Sequence, residues 1–198
     1  MKKIIAILLT LCFLLTACAD GSVLIPNRIS PKTLSKDQRE IIDLLSDNSQ
    51  ELLLFDFKTA DSYNTVKFWV DCYEYGELVN SVPGVEFYSD EAEKQSGTLA
   101  VTVHNANDTV RFGFKISTDG TRISNPGETL SLSREALACA YGPINYTAGL
   151  GAGSETALYT AIYSAGSITS YSDMQRYIDE PELLKPYPYA YIIKCRFD

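Results

Sequence analysis

The stretch TVKFWVDCYEYGELV, beginning at Thr65, constrains the fold more than any other part of the chain. Val66, Phe68, Val70 and Cys72 alternate with Lys67, Trp69, Asp71 and Tyr73. A period of two places each set on its own face of a β-strand. The alternation recurs in Leu53, Phe55 and Phe57, in Leu99, Val101 and Val103, and in Val110, Phe112, Phe114 and Ile116. The last two runs are joined by HNAND, a five-residue hairpin connection. Tyr189, Tyr191, Ile193, Cys195 and Phe197 share one face near the C-terminus, and GVEFYS and ETLSLS read as shorter strands. SETALYTAIYSAG also reads as a strand, because Tyr159, Ala161 and Tyr163 alternate between glycine-bearing ends. About eight or nine short strands with turn chemistry between them predict a mainly β fold, an antiparallel β-sandwich or barrel-like domain.

Two helices interrupt this pattern. Ser35 and Gln38 have the spacing of a capping box, and Leu34, Ile41 and Leu45 form a stripe, so an N-terminal helix packed on the sheet is expected. SDMQRYIDEPELL predicts a short C-terminal helix that breaks before Pro181. DEAEKQSG reads as a charged loop, and SREALACAYG is compatible with a helical turn or two. Residues 19–33 hold Gly21, Pro26 and Pro31 without periodicity and read as a tether.

The N-terminus carries an address. Lys2 and Lys3 precede an apolar run of 12 residues, Ile4 to Leu15, interrupted by Thr10. Spanning a bilayer takes roughly 20 residues, so the run has the length and flanks of a secretory signal instead. Leu15, Thr16, Ala17 and Cys18 follow it. This LTAC motif resembles the lipobox of bacterial lipoproteins, in which small residues precede a cysteine that becomes diacylglyceryl-modified and then N-terminal. The resemblance covers about the first tenth of the chain. It implies a signal peptide over 1–17, lipidation at Cys18, a lipid-anchored tether over 18–33 and a single globular domain over 34–198, held at the cell membrane and facing outside the cytoplasm. Two acyl chains anchor stably where one does not. Cys12 lies inside the apolar run and would leave with the peptide.

Loss of residues 1–17 removes Lys2 and Lys3 and no acid, so 15 basic residues (17 minus 2) face 25 acidic ones, a formal charge of −10. Such a balance disfavours nucleic acid as a partner and leaves membrane contact to the lipid. Cys72, Cys139 and Cys195 remain besides Cys18. Three is an odd number and the spacing follows no disulfide scaffold, so three buried thiols are expected.

No constellation with a reaction attached is legible. His104 is the single histidine and sits at a predicted hairpin edge, with no nucleophile elbow elsewhere. One histidine and scattered cysteines do not supply a zinc site, and the acidic clusters at 90–93 and 179–182 lack an EF-hand pattern. No catalytic residue, metal or cofactor is therefore assigned. GLGAG lacks the Lys-Ser/Thr of a phosphate loop. What stands out is aromatic: Trp69, Tyr73 and Tyr75 lie on the face opposite the core set of the best strand. Uncovered, they would form a recognition platform for a glycan, peptide or envelope protein. Covered by the N-terminal helix or the Tyr-rich C-terminal part, they would form a second core layer, the arrangement favoured here. The expected role is a binding or interaction module at the cell envelope. The alternatives are a carboxylate-dependent hydrolase of cell-wall or external polysaccharide and a structural envelope-assembly subunit.

Overall fold

A computed structural model describes residues 25–45, 49–106, 109–131 and 138–198. The expected signal peptide over 1–17 and Cys18 lie outside the described residues. The elements are β1 (Arg28–Pro31), α1 (Lys36–Leu45), β2 (Gln50–Glu74), β3 (Glu77–Ala106), β4 (Thr109–Thr118), β5 (Arg122–Asn125), β6 (Thr129–Ser131), β7 (Ala138–Pro143), β8 (Ala148–Gly149), β9 (Thr156–Ser164), α2 (Arg176–Asp179), a 3₁₀ turn (Pro181–Leu184) and β10 (Tyr189–Phe197). Among the described residues no helix is long and apolar enough to cross a membrane.

All ten strands belong to one antiparallel sheet of order β5-β4-β3-β2-β10-β9-β7, with β1 beside β2, β8 beside β1 and β6 beside β4. Of the two expected forms, sandwich or barrel-like, the structure is not a two-sheet sandwich but one sheet curled into a half-barrel. The curl is built into β2 and β3, strands of 25 and 30 residues that form one long hairpin. Phe57 and Phe68 are 11 residues apart on β2, about 36 Å if the strand were straight, yet their rings lie 6.0 Å apart. Register shifts between Lys58 and Ser62 and between Tyr63 and Thr65 mark the bend. Extra residues in a ladder increase local twist and turn a strand through a corner.

The bend also reverses side-chain parity. Leu53, Phe55 and Phe57 before it and Val66, Phe68, Val70 and Cys72 after it all reach the buried interior. The first half of β2 pairs with β1 and with the late part of β3, which carries β4 and β5. The second half pairs with β10, which carries β9 and β7. Folding at the corner lays one half over the other, and rings meet across the gap: Phe112 of β4 with Tyr191 of β10 at 5.6 Å, and Phe57 with Phe197 at 5.8 Å. The open sides are drawn together by Asn125, whose side-chain amide donates to the carbonyls of Pro83 and Gly84, and by Tyr159, whose hydroxyl donates to Glu51.

Several expectations are revised. The DEAEKQSG segment is not a loop but part of β3, exposed at the corner. Residues 138–142 of SREALACAYG belong to strand β7 and not to a helix. The sheet already begins at Arg28, inside the expected tether. Helix α1 has the reciprocal capping bonds of Ser35 and Gln38, but Ile41 and Leu44 are exposed. Cys72 and Cys195 are buried and not disulfide-linked, whereas Cys139 is exposed. The short C-terminal helix lies where it was expected, at Arg176–Asp179. Residues 165–188 return across the outer side of β9 and β10, contributing Met174, Tyr177, Leu184 and Tyr187 to the core, which accounts for burial at every position of β9.

Candidate functional site

The outer face of β2 beyond the corner carries Lys67, Trp69, Asp71 and Tyr73, and β10 adds Lys194, whose register partner is Trp69. Trp69 and Tyr73 do not form the open platform considered from sequence. Each is 7% exposed, and only Tyr75, in the β2–β3 turn, stands free at 63%. Both rings are buried in the face, and at its centre is a charge: Lys194, a lysine flanked by Ile193 and Cys195.

Lys194 Nζ donates to Asp71 Oδ2 at 2.7 Å, to Glu155 Oε2 at 3.0 Å and to Tyr73 Oη at 3.2 Å. An ammonium has three N–H bonds, and three acceptors are present. Asp71 Oδ1 accepts from Trp69 Nε1 at 2.9 Å and from Ser81 Oγ at 2.5 Å. The Lys194 and Asp71 side chains are only 4% and 6% exposed, whereas Glu155 keeps 36% at the rim. Burial alone would lower the Lys194 pKa; the bonds and charges of Asp71 and Glu155 outweigh it and hold the ammonium above its ordinary value. Next door, burial and the Asp71 charge push the Cys72 thiol up to about 12, which makes it a packed apolar group.

Above this network lies a cleft of about 390 Å³ whose wall includes Lys67, Trp69, Ser81, Pro83, Glu86 and Arg196. Its shape comes from the bulge where the register shifts between Phe68 and Trp69, with Gly84 as the extra residue of β3. A side chain at Gly84 would begin 2.4 Å from the carbonyl oxygen of Phe68 and press on the Phe114 ring, so glycine alone fits there. Pro83, lacking an N–H, sits beside the bulge. The rim alternates in sign: Lys67 stands 5.8 Å over the Trp69 ring and 4.0 Å from Glu86, and Arg196 bonds Asp198 at 2.7 Å.

A family model, the YgaN domain, matches residues 28–197. The chain belongs to the YgaN domain family. No curated protein and no solved structure matches it. The match begins at the first residue of β1 and ends at the last of β10, so the YgaN domain is the whole curled sheet with its C-terminal cover.

Within the YgaN domain the cleft holds three acids, Asp71, Glu86 and Glu155, of which Asp71 and Glu155 are both bonded to Lys194. The ammonium fills the space between those two carboxylates, where a scissile bond would have to lie. Sequence reading placed Trp69, Asp71 and Tyr73 together on this face but missed Lys194 and Glu155. A lysine between Ile193 and Cys195 and an aspartate between Val70 and Cys72 were the available signal: lone charges inside apolar strands need each other. His104 lies far along β3, half-buried with Nδ1 3.4 Å from Ser49 Oγ.

Proposed function

We propose that the chain is a bacterial lipoprotein, anchored through a diacylglyceryl group on Cys18 and facing outside the cytoplasm, whose YgaN domain is a binding module of the cell envelope. The observation that carries the anchor is the LTAC sequence directly after a 12-residue apolar run headed by two lysines. The binding reading is supported by the cleft over Trp69. Its lining mixes charged and hydrogen-bonding groups with the apolar edges of Trp69, Leu78 and Pro83, which suits a ligand with both polar and apolar faces, such as a glycan or an extended peptide. The Lys194 network holds the floor rigid beneath it. In this reading Lys67, Glu86 and Arg196 contact the ligand, while Trp69 and Tyr73 shape the surface from below.

Expression in a bacterial host fed an alkyne-tagged fatty acid tests the anchor. The wild type is expected to carry the label, to partition into detergent and to lack residues 1–17, and Cys18→Ser to be unlabelled. Unlabelled wild-type protein that keeps its first 17 residues would overturn the proposal.

A further inference from the structure

The opposite outer face, on the half of the sheet before the corner, has a different character. Two adjoining hollows of about 460 and 280 Å³ share Lys115 and Ser124, forming one groove across β4 and β5. Its floor is low because Ala100 and Gly113 occupy the outward positions of β3 and β4 there. Arg111, Lys115 and Arg122 stand along it, all exposed. Arg111 and Lys115 are four residues apart on one strand, about 13 Å, and Arg122 faces Ser117, two residues further on. The three cations therefore span about 20 Å.

The charge is segregated. Among the described residues no aspartate or glutamate lines either hollow, although the chain has 25 acids against 17 basic residues. Among the described residues none of the three cations has a carboxylate partner. Asp56, outward-facing on β2, is taken by Lys32 at 2.6 Å. Gln50, Thr102 and Ser124 supply hydrogen-bonding groups between the charges.

We propose that this groove binds an extended polyanion, a chain carrying phosphate charges at intervals along its length. Charge complementarity selects an anion, and the arginine forks suit phosphate oxygens. The spread of the cations selects a chain, since a single phosphate reaches one or two of them. The concave floor suits a strand of polymer better than a flat bilayer. This site is separate from the Trp69 cleft and does not depend on the lipid anchor.

Titration of the full-length protein in neutral detergent with a short inorganic polyphosphate tests it. Polyphosphate is expected to bind at least tenfold tighter than orthophosphate. With three contacts the affinity should fall about 15-fold between 50 and 200 mM salt. Arg111→Glu with Lys115→Glu should reduce binding more than tenfold without altering the circular dichroism spectrum, while Lys185→Glu, on the C-terminal cover, should leave it within twofold. Equal affinity for orthophosphate, or equal loss in Lys185→Glu, would overturn the proposal. So would a Cys18→Ser protein that binds vesicles of anionic lipid but not polyphosphate, which would make the face a membrane surface.

Discussion

Lys194 joins parts of the chain that lie far apart in sequence. From β10 it ties Asp71 of β2 and Glu155 before β9, and through Asp71 it reaches Trp69 and Ser81. A buried pair of this kind gives little net stability over an apolar replacement, yet removal of one partner leaves a charge stranded. Lys194→Met is therefore expected to destabilise the domain by about 3–5 kcal/mol in urea unfolding. Lys194→Met combined with Asp71→Leu should recover more than half of that loss, because both buried charges are then gone and Glu155 can turn to solvent. Additive losses in the double variant would show that the two side chains act independently. The residue scale is also where sequence reading was weakest. Asp71 and Lys194 are 123 positions apart, and nothing local to either says that they meet. Cys139 shows the same blindness: its neighbours look apolar, but β7 is the last strand of the sheet path and leaves it exposed.

At the scale of elements, alternation identified the long strands β2, β4, β9 and β10 and the late part of β3, because these bury side chains in a continuous core. The strands β1, β5, β7 and β8, short and mostly without a buried face, were missed. Tyr159, Ala161 and Tyr163 gave β9 although alanines around them favour helix, a case of burial pattern overriding propensity. The corner was not legible. Residues 58–65 and 89–96 are polar and rich in charge, which is how a loop reads, yet their backbones keep pairing while they bend. The device is the bulge, and neither segment holds a glycine that would have marked it. Gly84 is the second such device, the one that opens the cleft. Gly84→Ala is predicted to cost about 1–3 kcal/mol, with a matching fall in the urea midpoint, because a Cβ at that position would stand 2.4 Å from a backbone oxygen. An unchanged midpoint would show that β3 can shift away from Phe68 there.

For the whole molecule, the fold class was readable and the closure was not. Strand count and turn chemistry point equally to two stacked sheets and to one sheet folded over, since both bury one face of every strand. What decides between them is the order β3-β2-β10-β9, in which a strand from the far end of the chain sits beside one from near its start. Because β10 lies between β2 and β9, and the Asp198 backbone pairs with Asn64 and Thr65 at the corner, the second half of the sheet has no substitute for it. Deletion of residues 189–198 is expected to abolish the cooperative thermal transition altogether; a shifted but cooperative transition would show that the first half stands alone.

That central position of β10 sets a timetable for the polypeptide as it leaves the ribosome. Nearly the whole chain must be made before the hydrogen-bonded ladder between β2 and β10 can zip. Until then β2 has an open edge, and the second half of the sheet waits on the last ten residues to be joined to the first.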